Sequence, residues 1–154
     1  MGKWAAKRDS DGSITIVQPR SGTAQSALDR LAVDMGESYT LLNEITDLNP
    51  EPSKRWRKQL QDNGSGDLEV DMTAAREAKM TEIREKRDSW LKQSDDSWIE
   101  ESSKGNATTD IESDKDALRD MTDDAQIAVD AETDADDLEA MDAFSGLTLN
   151  GTYE

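Results

Sequence analysis

The side chains best able to do chemistry in this sequence are carboxylates, and two groups of them are spaced closely enough to hold a hard cation. Asp9-Ser10-Asp11-Gly12-Ser13-Ile14 places two acids around a glycine turn and follows them with Ile, as the middle of a calcium loop does. Its first ligand position is Lys7 and its closing bidentate position is Gln18. Charge and oxygen ligands both fall short, so the segment reads as a hairpin turn. Asp130, Glu132, Asp134, Asp136 and Asp137 also crowd together, without a glycine turn or a distal Glu at loop spacing. They read as helix-start acids and solvated charge. No metal and no cofactor is expected.

A third cluster is basic. Lys54-Arg55-Trp56-Arg57-Lys58 surrounds an aromatic ring with cations, the pairing that grips single-stranded nucleic acid. In a chain of net charge −17 it reads instead as a strand with Trp56 facing inward, or as a docking patch for an acidic partner. The chain has no His and no Cys, which removes imidazole and thiolate catalysis, thiolate metal sites and disulfides. There is no glycine-rich phosphate loop and no Gly-x-Ser-x-Gly. Acids abound, but no apolar segment builds a pocket that would perturb one of them. The chain is expected not to be an enzyme and to take no small-molecule substrate.

The charge is unevenly placed. Residues 105–154 hold 15 acidic and 2 basic residues, whereas residues 1–60 hold 8 and 9. A half that acidic repels a phosphate backbone, so nucleic-acid binding is not expected. A solvated face, a DNA-mimicking surface and a halophilic surface remain as readings of the acidity. Ile, Val, Leu and Phe make up 24 of 154 residues, a thin supply for a core in a highly charged chain. Such a chain is expected to finish its burial against other chains. No run approaches the ~20 apolar residues of a membrane span. Met1-Gly2-Lys3-Trp4 opens no signal peptide.

The elements that must position these groups follow from spacing. Trp4–Lys7 and Ser13–Val17 flank the Asp-Gly turn as a β-hairpin. Leu28, Leu31, Ala32 and Met35 share one face of a short helix, with Thr23 or Ser26 to start it and Gly36 to stop it. Tyr39 to Leu48 is strand or helix, and Asn49-Pro50-Glu51-Pro52 is a rigid break. Arg55–Gln61 and Asp67–Met72 form a second hairpin candidate around Asp62-Asn63-Gly64-Ser65-Gly66.

A long helix is expected over about 73–104, capped by Asp71 or Thr73 and ended by Gly105. Its sparse stripe of Met80, Ile83, Trp90, Leu91, Trp98 and Ile99 cannot hold a lone helix in water. Ile83, Trp90 and Trp98 therefore face either another helix of the chain or another subunit. Asp110–Met121 is a shorter helix that folds back, and Thr133–Phe144 is a third, started by Thr133 with Asp136. The alternation in Ser145 to Tyr153 suits a strand added to a neighbour's sheet edge, with Leu147, Leu149 and Tyr153 setting its register.

From Val70 onward the order of residues resembles a known family. Val70-Asp71-Met72-Thr73-Ala74-Ala75-Arg76-Glu77 leads into Ile83-Arg84-Glu85-Lys86-Arg87-Asp88-Ser89-Trp90-Leu91, followed by Asp95, Lys115, Leu118-Arg119-Asp120 and Asp136-Asp137-Leu138. This is similar to small bacteriophage proteins encoded near tail-fibre genes, tail-assembly-chaperone-like proteins among them, and covers about 70–145. The resemblance implies a phage tail protein, with other tail proteins as partners in a large multi-copy assembly. It also implies a place in the virion tail after assembly in the host cytoplasm. It carries no catalytic residue.

Together these readings predict an α+β chain. A β-rich docking module spans 1–72, and a helical acidic interaction region spans 73–154: a long helix, a helical hairpin and an acidic tail. The expected function is that of a non-enzymatic tail component, fibre- or baseplate-associated, acting through protein–protein contacts at Trp56, Ile83, Trp90, Trp98, Leu147, Leu149 and Tyr153. An assembly chaperone absent from the finished virion and an acidic DNA-mimic inhibitor are the alternatives.

Overall fold

A computed structural model of the chain describes residues 2–46 and 50–154. The expected end of an apolar stretch at Leu48 and the start of a break at Asn49 lie, with Met1 and Asp47, outside the described residues. The protein is α+β: antiparallel strands and one helix come first, and helices follow. It divides into two compact units, Met1–Ala75 and Arg76–Glu154.

In the first unit, β1 (Lys3–Arg8) and β2 (Ile14–Val17) pair antiparallel with Trp4 opposite Val17 and Lys7 opposite Ile14. The turn between them explains the first acidic group. Asp11 accepts the Ser13 amide at 2.9 Å and pairs with Arg8 at 3.3 Å, so this carboxylate closes its own turn. Asp9 accepts the hydroxyl of Thr40 at 2.7 Å. Among the described residues no group of three or more acidic side chains is placed to hold a metal ion.

β3 (Tyr39–Ile45) pairs with the other side of β1, giving the order β2-β1-β3. Side chains alternate across this sheet. Ala6 and Val17 point to the face that α1 (Ala24–Met35) covers with Leu28. Ala5 and Leu42 point to the opposite face, where β4 (Leu60–Asp62) and β5 (Leu68–Val70) bring Leu60 and Leu68. Two small residues in the central strand let both layers approach closely. α1 starts at Thr23, whose side chain accepts from Ser26 in a reciprocal capping box, and stops at Gly36, which has φ 66°.

The second hairpin is shorter than the sequence suggests. Arg55 and Trp56 belong to a 3-10 turn, Lys54–Trp56, capped by Ser53, not to a strand. Pro52 followed by a Ser that caps its own downstream amide favours a helical turn here over the extended chain. Trp56 is nonetheless inward, only 1% exposed.

The second unit is helical. α2 (Met72–Ser103) starts where Asp71 accepts the amides of Thr73 and Ala74. It ends where Gly105, at φ 74°, lets the Asn106 amide turn back to the Glu101 carbonyl. α3 (Thr109–Ala131) continues past the expected end at Met121, because Ala125 and Val129 extend its buried stripe. α4 (Ala135–Ala140) is shorter than expected and is capped by Asp134, which accepts from Asp136 and Asp137, instead of by Thr133. Residues 141–154 form no strand. No described helix is long and apolar enough to cross a membrane.

Candidate interaction site

The seam of α2 is a heptad stripe whose apolar members give way to polar ones. Met80 and Ile83 are buried; Arg87 and Trp90 are half-buried; Ser94 is fully buried. Each polar member has a partner. Arg87 donates to the Thr122 hydroxyl at 2.7 Å, and Ser94 returns its hydroxyl to the Trp90 carbonyl at 2.9 Å. Neighbouring ties fix the direction of the pair. Arg76 grips the Glu132 carbonyl through two nitrogens, Arg84 reaches Gln126, Lys115 pairs with Asp95, and the Trp98 indole donates to Glu112. As numbers rise on α2 they fall on α3, so the helices run antiparallel.

The chain then returns along this pair. Lys79, itself buried, donates to the Glu139 carbonyl at 3.2 Å, and Leu138 is fully buried. Phe144 meets Trp90 edge to face with centroids 4.8 Å apart, and Tyr153 stacks on it at 5.8 Å. The Lys86 ammonium sits 4.8 Å from the Trp90 centroid and 4.4 Å from that of Phe144.

The tail is held by a residue that sequence reasoning did not single out. Asp114, on α3, is 1% exposed. Its Oδ1 accepts the Asn150 amide at 2.7 Å and the Asn150 side-chain nitrogen at 3.0 Å. Its Oδ2 accepts the Gly151 amide at 2.8 Å and the Tyr153 hydroxyl at 2.7 Å. Burial pushes this carboxyl up, but the bonds from Asn150, Tyr153 and Gly151 outweigh it and hold it below the usual carboxylate range. Burial in turn raises the Tyr153 phenol, with the charge of Asp114 adding to it against a lowering bond to Ser94. Gln93 completes the seat by donating to the Glu154 carbonyl at 2.6 Å and accepting its amide at 3.2 Å, a side chain pairing as a strand would.

The residues expected at interfaces therefore separate. Ile83 and Trp56 are buried, 4% and 1% exposed. Trp90 and Tyr153 come together, and Leu147 lines a cleft of about 430 Å³ together with Met121 and Ala125 of α3. Leu149 is half-buried. The alternation at 145–153 serves docking onto the chain's own helices, because Asp114 and Gln93 supply the acceptors and donors that a neighbouring strand would otherwise offer. Trp98 stands apart: it is 36% exposed beside Ile99 at 62%. A signal for Asp114 exists in the sequence. Continuing the stripe of Leu118 and Met121 backward by four residues lands on it. The chain matches no protein-family model, no curated protein and no solved structure.

Proposed function

We propose that this chain is a non-enzymatic structural component of a bacteriophage tail that works by contact with other tail proteins. One observation supports the reading above others: several of the residues that carry the family resemblance hold the helices together. Asp71 caps α2, Arg76 holds Glu132, Ile83 is buried, and Arg87 binds Thr122. Lys115 pairs with Asp95, while Leu118 and Leu138 are fully buried. A pattern of charged and apolar residues kept in that order is what an antiparallel pair with a returning strap requires. Trp98 and Ile99 add an exposed apolar pair at the far end of α2, a composition favoured at contact surfaces.

The test is mass spectrometry of washed particles of the phage that encodes the chain. The structural reading expects the protein in stoichiometric amounts. Its absence from particles, with abundance in infected cells, would replace that reading with the assembly chaperone. Tight binding to a DNA-handling enzyme, competed by duplex DNA, would instead favour the DNA mimic.

A further inference from the structure

We propose that the outer edge of β2, with the groove between β2 and α1, receives an extended carboxylate-bearing segment of a partner protein as an added strand. The inference rests on the reading of the chain as a contact protein, but not on which assembly it serves.

The ladder phase shows what β2 offers. The Arg8 amide donates to the Ser13 carbonyl at 2.8 Å, so Ser13, Thr15 and Val17 turn their backbone groups toward β1. Ile14 and Ile16 therefore turn theirs outward, and no described residue bonds them. The other edge of the sheet is treated differently. Between Trp4 and Ala6 the register with β3 shifts by one residue, a bulge at Leu42–Asn43. The Asn43 amide is thereby re-aimed to the Gly66 carbonyl at 2.9 Å, and its side chain to Ser65 and Asp67. β3 is thus engaged by the β4–β5 turn. β2 carries no charge, proline or bulge from Ile14 to Val17, the devices that normally blunt an edge.

Beside this edge lies a groove of about 520 Å³. Val17, Ala27 and Leu31 give it an apolar floor, and Arg20, Arg30 and Asp34 form its rim. Neither arginine is paired with a carboxylate among the described residues, and two cations face one anion. An added strand would pair with Ile14 and Ile16 through its main chain and set alternate apolar side chains onto the floor. Its flanking carboxylates would meet Arg20 and Arg30.

The probe is a capped eight-residue peptide alternating valine and threonine, with aspartate at both ends, added to the full chain. A version with lysine at both ends is the control. Amide exchange by NMR should show the Ile14 and Ile16 amides gaining about tenfold or more protection with the aspartate peptide, while Thr15 and Val17 stay as they were. Arg20→Glu with Arg30→Glu, both on exposed side chains, should weaken that peptide by about tenfold or more and reverse the preference toward the lysine version. Unchanged exchange at Ile14 and Ile16, or equal binding of both peptides, would overturn the proposal. So would protection at those amides without peptide in a chain of doubled mass, which would assign the edge to a second copy. A doubly substituted chain that stays in particles separates this proposal from the tail reading. Absence of the unsubstituted chain from particles tests the latter alone.

Discussion

Tyr153 donates its phenolic proton to Oδ2 of Asp114 at 2.7 Å, across 39 residues of sequence. The same carboxylate takes three more donors from Asn150 and Gly151. Asp114→Asn would remove the charge and aim an amide at groups that are themselves donors. It should cost ~2–4 kcal/mol, and Tyr153→Phe ~1–1.5 kcal/mol, read from urea midpoints. A loss under ~0.5 kcal/mol for Asp114→Asn would show that the carboxylate does not seat the tail.

The same bonds set a pH dependence. The Asp114 carboxyl is lowered in the folded chain relative to ~3.9 when unfolded. Its stabilisation is therefore fully present above the unfolded value and is lost as pH falls through the folded one. Acid also relieves the repulsion of a chain at −17, which acts in the opposite direction. The difference in stability between the wild type and Asp114→Asn isolates the first effect. It should be constant at neutral pH and shrink below about pH 4. A gap that widens with acid would contradict the assignment.

Three tryptophans should respond in graded order. Trp56→Ala empties a site only 1% exposed and should cost ~3–5 kcal/mol. Trp90→Ala removes a half-buried ring and its contacts with Phe144 and Tyr153, for ~2–3 kcal/mol. Trp98→Ala should leave the isolated chain within ~1 kcal/mol, since its ring is 36% exposed. Under the proposed function, in which Trp98 would meet a protein of the tail, its substitution should lower incorporation into particles without lowering the melting temperature.

Salt should stabilise the protein. The second unit carries most of the negative charge, and the Debye length falls from ~30 Å at 0.01 M to ~10 Å at 0.1 M salt. Melting temperature should rise by a few degrees, on the order of 2–5 °C, over that range. A fall would mean that attractive pairs such as Lys115–Asp95 outweigh the repulsion.

Much of this architecture is legible where local chemistry decides it. The Asp-Gly turn, the Thr23 and Gly36 ends of α1, and the Asp71 and Gly105 ends of α2 are all visible as residue types at the right spacing. Legibility fails where tertiary partners decide. Thr133 and Asp134 are equally good caps by type, and Asp134 takes the role with α4 starting one residue later. The Lys54–Lys58 run reads as a strand until Ser53 is seen capping a 3-10 turn. The tail alternates like a strand, yet its hydrogen bonds go to Asp114 and Gln93, side chains that alternation says nothing about. Asp114 itself hides among 15 acids of residues 105–154, and only its place in the α3 stripe distinguishes it.

The returning segment has a consequence for the order of folding. Gln93 bonds Glu154 across 61 residues and Arg76 bonds Glu132 across 56, whereas Trp98 and Glu112 are only 14 apart. Closing the α2–α3 turn is a local event, and the pair can zip from Trp98 toward Arg76. Residues 141–154 can settle only onto a surface that this zipping has already made. Docking is then expected to be a late step, and its contacts are expected to open first. Native-state exchange should place the Asn150 and Gly151 amides in a sub-global opening of lower free energy than the amides of Leu118 and Met121. Substitutions at Asp114 should accelerate unfolding while leaving the folding rate nearly unchanged.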